Sequence, residues 1–488
     1  MRTLPLLLLA ALAFGADPGL DDLFDPQSGA FPVGPNRMES KQAAFARAVP
    51  EGDATALAKL AARLIASEGA LEELDKRIAE EREIYLAAKR KWWEWRAAYL
   101  RDYRRKHGTD PAEFPTPQGL TDDYRRKETL WKEQASVKRG ERAFVAWAEE
   151  RFVELFAKLE PRARQKTLGV LTTAGKEMRP RAVALLGRLD DPSGDEALEK
   201  TAAGEKDPLL LAALLDAGVG GGGLAAHLRD ERWPVRAAAI RALARRRDAD
   251  AVSLLVARGI EEKGRLLDDL HDALAAATGL APPHDPAAWA GWWEGVKPGF
   301  APPPPSSESS QAERPANLLG IPTRSRRIVL CVERSARLGH SVGLLAESLA
   351  DFLDTLPADA LFAVVPFGDG AAAVRMVEAN AGNKAKARAQ LRRLEPEGEA
   401  DLWAGLAAAF ETAAPSRPRG REPVADTIVL VCGGPPTEGL FTDPYQIAEE
   451  IAVRNALPRL VIHLLAPGGD PDPLGRLAAQ SGGRRAGP

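Results

Sequence analysis

Beyond residue 326 the chain alternates short apolar runs with amphipathic stretches, and this alternation restricts its possible folds more than any other feature. The apolar runs are 328–332, 361–367, 372–377, 427–432 and 460–465, and the amphipathic ones are 342–356, 384–394, 401–413, 445–455 and 474–480. Strands that are apolar along their whole length are buried on both faces, and intervening helices supply the covering layers. The pattern predicts a doubly wound α/β sheet. Runs 361–367 and 372–377, joined by Gly368-Asp369-Gly370, read as an antiparallel hairpin on its edge.

The rest of the chain is helical in pattern. Residues 17–36 are rich in Pro, Gly and Asp and read as an irregular lead-in. From 37 to 160, Leu71, Leu74, Ile78, Tyr85, Ala88, Trp92, Trp95 and Tyr99 form a heptad-like seam, and the Pro-rich loop 108–120 interrupts it. Tyr124, Trp131, Val145, Ala148, Phe152, Leu155 and Leu159 continue on a second helix, so the region reads as an antiparallel, coiled-coil-like hairpin. Within 161–297 a new period begins. Pro180, Pro208 and Pro234 each open a helical segment, at a spacing of roughly 27 residues, and Arg265 to Thr278 adds another in phase. With Val235-Arg236 through Ala242-Leu243 as its best signature, this region resembles a HEAT-type α-solenoid. Residues 298–325 are Pro- and Ser-rich and read as a linker to the α/β domain, 326–488.

At 488 residues the chain has length for about three domains. The N-terminus reads as an export signal over 1–16: Arg2, an apolar run from Leu4 to Phe14, then small residues suited to cleavage after Ala13 or Ala16. That run is too short for a permanent membrane span, and no other window approaches one. Export implies a periplasmic or extracellular location, and an intracellular scaffold is the alternative if the leader stays uncleaved. A net charge of -3 gives no general argument for nucleic acid as partner. The two cysteines, Cys331 and Cys432, each end an apolar run and are either two buried thiols or a bridge.

Catalytic signatures are missing. The six histidines stand singly, without the spacing of a metalloprotease. Gly220 to Gly223 lacks the Lys-Ser/Thr of a phosphate loop, and Ser335 has neither a nucleophile-elbow setting nor an identifiable His partner. No enzyme and no cofactor are expected. The basic aromatic stretch Lys89 to Trp95, continuing to Lys106, reads as a hairpin helix with aromatics in the seam and cations on the wet face.

The first strand of the α/β region runs into Glu333-Arg334-Ser335-Ala336-Arg337. Phe362 to Asp369, Gly398 to Leu406, Ile428 to Thr437 and Leu477 to Gly483 follow in order. These pieces resemble the von Willebrand factor A family, in which the first strand ends in an Asp-x-Ser-x-Ser loop that holds a divalent cation, usually Mg²⁺. The resemblance implies a Rossmann-like sheet and a protein-interaction role. It also locates the family's metal ligands, and most are replaced. Glu333 stands for aspartate, Ser335 is kept, Arg337 replaces the second serine, Ala400 the threonine and Gly433 the second aspartate. Magnesium requires near-octahedral oxygens at about 2.0–2.1 Å, which two isolated oxygens do not provide.

The expected architecture is therefore an all-α hairpin and HEAT-like solenoid followed by an α/β doubly wound domain with a degenerate metal site. The expected role is that of an exported, non-enzymatic scaffold acting through protein partners. Arg337, Asp369, Glu399 and Asp401 are the partner-binding candidates. Arg337 either bridges Glu333 locally or offers its guanidinium to a partner carboxylate. The alternative is a domain that still binds a cation and a protein ligand through a non-standard site of Glu333, Ser335, Asp369 and Asp401.

Overall fold

The computed structural model describes residues 20–26, 31, 36–109, 111, 117–175, 178–189, 191–218, 223–302, 317–339, 341–415, 422–467 and 472–486. The expected export signal, most of the lead-in, the centre of the proline-rich stretch and Gly220 to Gly222 lie outside them. The chain divides into two compact units, residues 1–194 and 195–488.

In the first unit, α1 (Leu20–Leu23) and α2 (Arg37–Ala48) precede two long helices, α3 (Ala54–His107) and α4 (Gln118–Ala157). Asp53 caps α3 by accepting from the Thr55 and Ala56 N–H groups at 2.8 and 2.9 Å. Gly108, at φ 74°, ends it in the left-handed conformation that glycine adopts without strain. The pairs Glu68 with Arg142, Asp75 with Lys138, Tyr85 with Trp131 and Trp92 with Tyr124 join the two helices. As numbers rise on α3 they fall on α4, so the hairpin is antiparallel. The seam is buried from Leu71 to Ala88 and half-buried at Trp92, Trp95 and Tyr99, so it loosens toward the turn. Helices α5 (Pro161–Thr172) and α6 (Arg179–Leu186) follow, and α5 packs on α3.

A buried ionic group fastens this unit, and the sequence pattern did not show it. Glu141 accepts from Arg37 Nε at 3.0 Å and from Lys41 Nζ at 2.5 Å, and Lys41 also donates to Leu23 O at 2.6 Å. Lys41 is 1% exposed and lies 4.9 Å from the Phe144 ring centroid. Burial pushes its ammonium below the usual lysine range, and Glu141 opposes that push. Removing one partner of such a group leaves an uncompensated buried charge. Glu141→Ala is accordingly expected to lower the unfolding free energy by about 3–5 kcal/mol in urea denaturation, and adding Lys41→Met to recover much of the loss.

Helix α7 (Pro192–Gly204) leads into the second unit, where α8 (Pro208–Asp216), α9 (Leu224–His227), α10 (Trp233–Arg246), α11 (Ala249–Gly259), α12 (Arg265–Thr278) and α13 (Trp289–Val296) form a helical layer. Proline occupies the first turn of α6, α8 and α10, and α8, α10 and α12 pack in sequence. Trp289, fully buried, lies so close to Gly259 that a Cβ there would fall 2.3 Å from its ring.

The sheet has the order β3-β2-β1-β4-β5-β6. Strand β1 (Arg327–Glu333) is central, and β2 (Leu361–Phe367), β4 (Thr427–Val431), β5 (Val461–Leu465) and β6 (Arg485–Ala486) run parallel to it. Helices α14 (Ser341–Thr355) and α15 (Ala381–Arg392) pack on each other, and their side of the core takes Ile328, Leu330 and Val332. Strand alternation sends Val329, Cys331 and Glu333 to the opposite face. Helix α16 (Leu402–Ala413) packs on β1, β2 and β4, and α17 (Pro444–Arg454) and α18 (Asp472–Gln480) pack together. Both cysteines are buried free thiols.

The edge hairpin is shorter than its apolar run implies. Among the described residues after the Gly368–Gly370 turn, only β3 (Val377–Glu378) pairs with β2, antiparallel, against Phe362 and Leu361. The Leu361 N–H points to Arg326 O on the β1 side, so alternation turns position 366 toward the edge, where Pro366 has no N–H to offer. Residues 372–375 are exposed, and the Val374 N–H donates to Thr412 Oγ1 at 3.0 Å.

The helical layer and the sheet meet at a joint built around Arg265. Arg265 Nη1 donates to Asp426 O at 3.1 Å and to Arg459 O at 2.9 Å, and its guanidinium stacks 5.2 Å over the Trp233 ring. The Trp233 indole N–H donates to Pro423 O at 3.2 Å. Beside them Asp426 Oδ1 accepts from Ser325 Oγ at 2.6 Å and from Thr427 Oγ1 at 2.8 Å. Burial nevertheless pushes the Asp426 carboxyl above the usual carboxylate range, against the pull of Arg265 and the two hydroxyls. An acid with a raised folded pKa binds its proton more tightly when folded, so its contribution to stability falls as pH rises through that window. Asp426→Asn removes this dependence. In thermal unfolding from about pH 4 to about pH 8, the melting-temperature difference between variant and parent is expected to move in the variant's favour as pH rises.

Candidate functional site

Strands β1 and β4 are neighbours, while the chain leaves β1 toward β2 on the other side. This is the point where an open α/β sheet leaves a crevice outside the C-terminal ends of its strands. Glu333 ends β1 there and is fully buried. After Ser335 the chain makes a single tight turn, Ala336–Leu338, which returns Arg337 over Glu333.

Four donors meet the Glu333 carboxylate. Ser335 Oγ and Arg337 Nε, the latter at 2.7 Å, donate to Oε1. Arg337 Nη2 at 2.9 Å and the Gly433 N–H at 2.8 Å donate to Oε2. A carboxylate has about four lone-pair positions, so each oxygen carries its full complement. Arg337 approaches with two parallel hydrogen bonds, the strong geometry for this pair. Its remaining donors reach the loop after β4: Nη1 to Pro435 O, and Nη2 to Gly434 O at 2.9 Å. One guanidinium therefore ties the end of β1 to the loop beyond β4.

The space around it is tight. A Cβ at Gly433 would lie 2.9 Å from Leu338 Cδ2 and 3.4 Å from Arg337 Nε, so a side chain there would require Leu338 to shift. Ala400 is buried, and its N–H donates to Thr437 Oγ1 at 2.9 Å. The buried thiol of Cys432 is pushed up to about 12, first by desolvation and then by the Glu333 charge. It is a packing group rather than a nucleophile.

The other sequence-predicted positions divide. Asp401 is 2% exposed and accepts from the Ala404 N–H at 2.9 Å as the N-cap of α16, so it faces inward rather than out from the rim. Asp369 and Glu399 are exposed, and Asp369 Oδ1 accepts from the Glu399 N–H at 2.6 Å. They belong to an adjoining loop pair, where Arg334 holds Glu397 at 3.4 Å and the Ala336 N–H donates to Gly398 O at 3.1 Å. The donors and acceptors of Gly433, Gly434 and Pro435 are main-chain groups, which leave no side-chain signal in a sequence. Among the described residues no three His, Cys, Asp or Glu side chains converge as metal ligands.

No protein-family model matches the chain, and no curated protein matches it. Among solved structures it is similar in part to a von Willebrand factor type A protein from Catenulispora acidiphila. That similarity is 20% identity over 33% of this chain and 38% of that one, with a TM-score of 0.28. The matched part spans well under half of that protein, and a superposition this loose carries no argument. The α/β reading rests on the sheet order and on the loops gathered at the ends of β1 and β4.

Arg337→Ala would leave the buried Glu333 carboxylate with two donors. Arg337 is 24% exposed, so water offsets part of the loss. The variant is expected to be destabilised by about 2–4 kcal/mol in urea denaturation, and Arg337→Lys, which cannot donate in a fork, to recover only part.

Proposed function

We propose that the C-terminal α/β region is a von Willebrand A-like protein-interaction domain in which Arg337 fills, from within the chain, the position that a divalent cation holds in that family. The observation that carries this is the Glu333 carboxylate with all four acceptor positions taken by Ser335, Arg337 and Gly433. A fixed guanidinium neutralises the carboxylate and bridges the two loops, tasks a metal performs in a site of Asp, Ser and Thr oxygens. Unlike a metal it keeps no open coordination position for a partner's carboxylate. Binding would then use the exposed rim, where Asp369 and Glu399 lie, rather than a shared cation.

The remaining parts fit a non-enzymatic scaffold. A HEAT-like stack through α8, α10 and α12 and, separately, the long α3–α4 hairpin offer extended surfaces for protein partners. The N-terminal pattern of residues 1–16 supports export, with the mature chain beginning after Ala13 or Ala16.

Calorimetric titration of the full chain with Mg²⁺, Mn²⁺ and Ca²⁺ tests the central claim. No saturable binding is expected at millimolar concentration. A stoichiometric heat abolished by Glu333→Gln would overturn it in favour of the non-standard cation site. Crosslinking in the native envelope, compared between the parent and an Asp369→Lys, Glu399→Lys variant, tests the rim. Unchanged crosslinks to every partner would remove those two residues from the interface.

A further inference from the structure

We propose that a second site in the 195–488 unit, a cleft of about 740 Å³ between α10, α12, α17 and the turn after α18, binds an oxyanionic ligand through arginine. Its volume is that of a small-ligand site, in the range of about 300–1,000 Å³. Arg241, Arg245, Arg247, Arg265 and Arg459 line it, and Asp269 and Asp272 are the carboxylates on its wall.

The pairing leaves cations in excess. Arg241 holds Asp216 in a fork, at 2.9 and 2.8 Å. Arg265 reaches Asp269 at 3.3 Å and is otherwise engaged at the joint with Asp426 and Trp233. Arg245 and Arg459 then reach the same Asp216 at only 4.0 and 3.7 Å, and their side chains are 50% and 51% exposed. Three guanidiniums thus share one carboxylate that is already committed to the first. Arg245 also donates to Leu215 O at 3.0 Å, at the end of α8, which fixes its position without neutralising its charge. Burial and then the neighbouring Arg241 press Arg245 and Arg459 toward the uncharged form against the pull of Asp216, and an added anion would act in the same sense as Asp216.

The backbone shows that Arg459 is held in place. It stands at φ 52°, a conformation that L-residues adopt only under constraint. Asn455 enforces it, with Nδ2 donating to Leu460 O and Oδ1 accepting from the Leu460 N–H, both at 2.8 Å. Arg247, on the same cleft, stands at φ 54° as the left-handed C-cap of α10. The Asn455 clasp fixes the backbone from which Arg459 lines the cleft. Planar, bidentate guanidinium suits carboxylate and phosphate oxygens. The ligand chemistry is two or more such groups on one molecule, carried either by a small polyanion or by successive acidic side chains of a peptide. The site is separate from Glu333 and does not rest on the reading given for it.

The full chain is titrated by calorimetry with pyrophosphate, with citrate and with a hexaglutamate peptide, at about 50 mM salt. Saturable binding is expected for at least one probe, and the probe that binds identifies the source of the oxyanion. Arg245→Gln with Arg459→Gln is expected to weaken it by about tenfold or more, while Arg388→Gln, a surface arginine elsewhere, leaves it unchanged. Arg245→Lys with Arg459→Lys keeps the charge and retains partial affinity, which separates charge from fold if the Gln variant melts early. Absence of saturation with all three probes, or equal affinity in the parent and the Gln variant, overturns the proposal.

Discussion

A carboxylate that water cannot reach governs the upper end of the sheet. Glu333 sits at the end of the central strand, and an isolated buried charge there would cost several kcal/mol. The loops are arranged to meet it. The tight turn after Ser335 returns Arg337 over its own strand, and Leu338 fills the space beside Gly433. The absence of a side chain at 433 lets that main-chain N–H approach. A side chain at 433 would meet Leu338 of the same turn, so the glycine and the turn go together.

Arg265 plays the corresponding part at the lower end. It bonds to the main chain of Asp426 and Arg459 and stacks on Trp233, so the α8–α13 layer and the sheet fall in one compact unit. Linear order places the proline-rich stretch between them, and the hydrogen bonds bypass it. The same joint crowds Arg241, Arg245 and Arg459 around Asp216, which gives the neighbouring cleft its charge.

Much of the fold was legible in the residues. The apolar runs at 328–332, 361–367, 427–432 and 460–465 became strands within a residue or so, because a strand buried on both faces has to be apolar throughout. The seam from Leu71 to Tyr99 lies on one helix because its spacing leaves little else for it to be. The run at 372–377 misled because β-propensity in a short apolar segment is realised only against a partner. Pro366 withdraws a donor and Thr412 takes the Val374 N–H. Asp401 stood among acidic residues at the head of a helix, and capping was the stronger demand on it. The Arg37–Lys41–Glu141 group escaped notice because charged residues on an amphipathic helix normally face water.

Local periodicity, turn chemistry and the order of motifs therefore determined the elements of this protein and their class, since those signals act between residues a few positions apart. They also pointed to Glu333, Ser335, Arg337, Ala400 and Gly433 as positions to be compared with one another. What those positions do together was decided only by tertiary structure. The Glu333 carboxylate meets an N–H of residue 433, and Arg337 meets the carbonyls of 434 and 435, because β1 and β4 are adjacent in the sheet. A hydrogen bond is won or lost over a few tenths of an ångström. Sequence can name the groups on either side of such a contact, but the packing of two strands sets the distance between them.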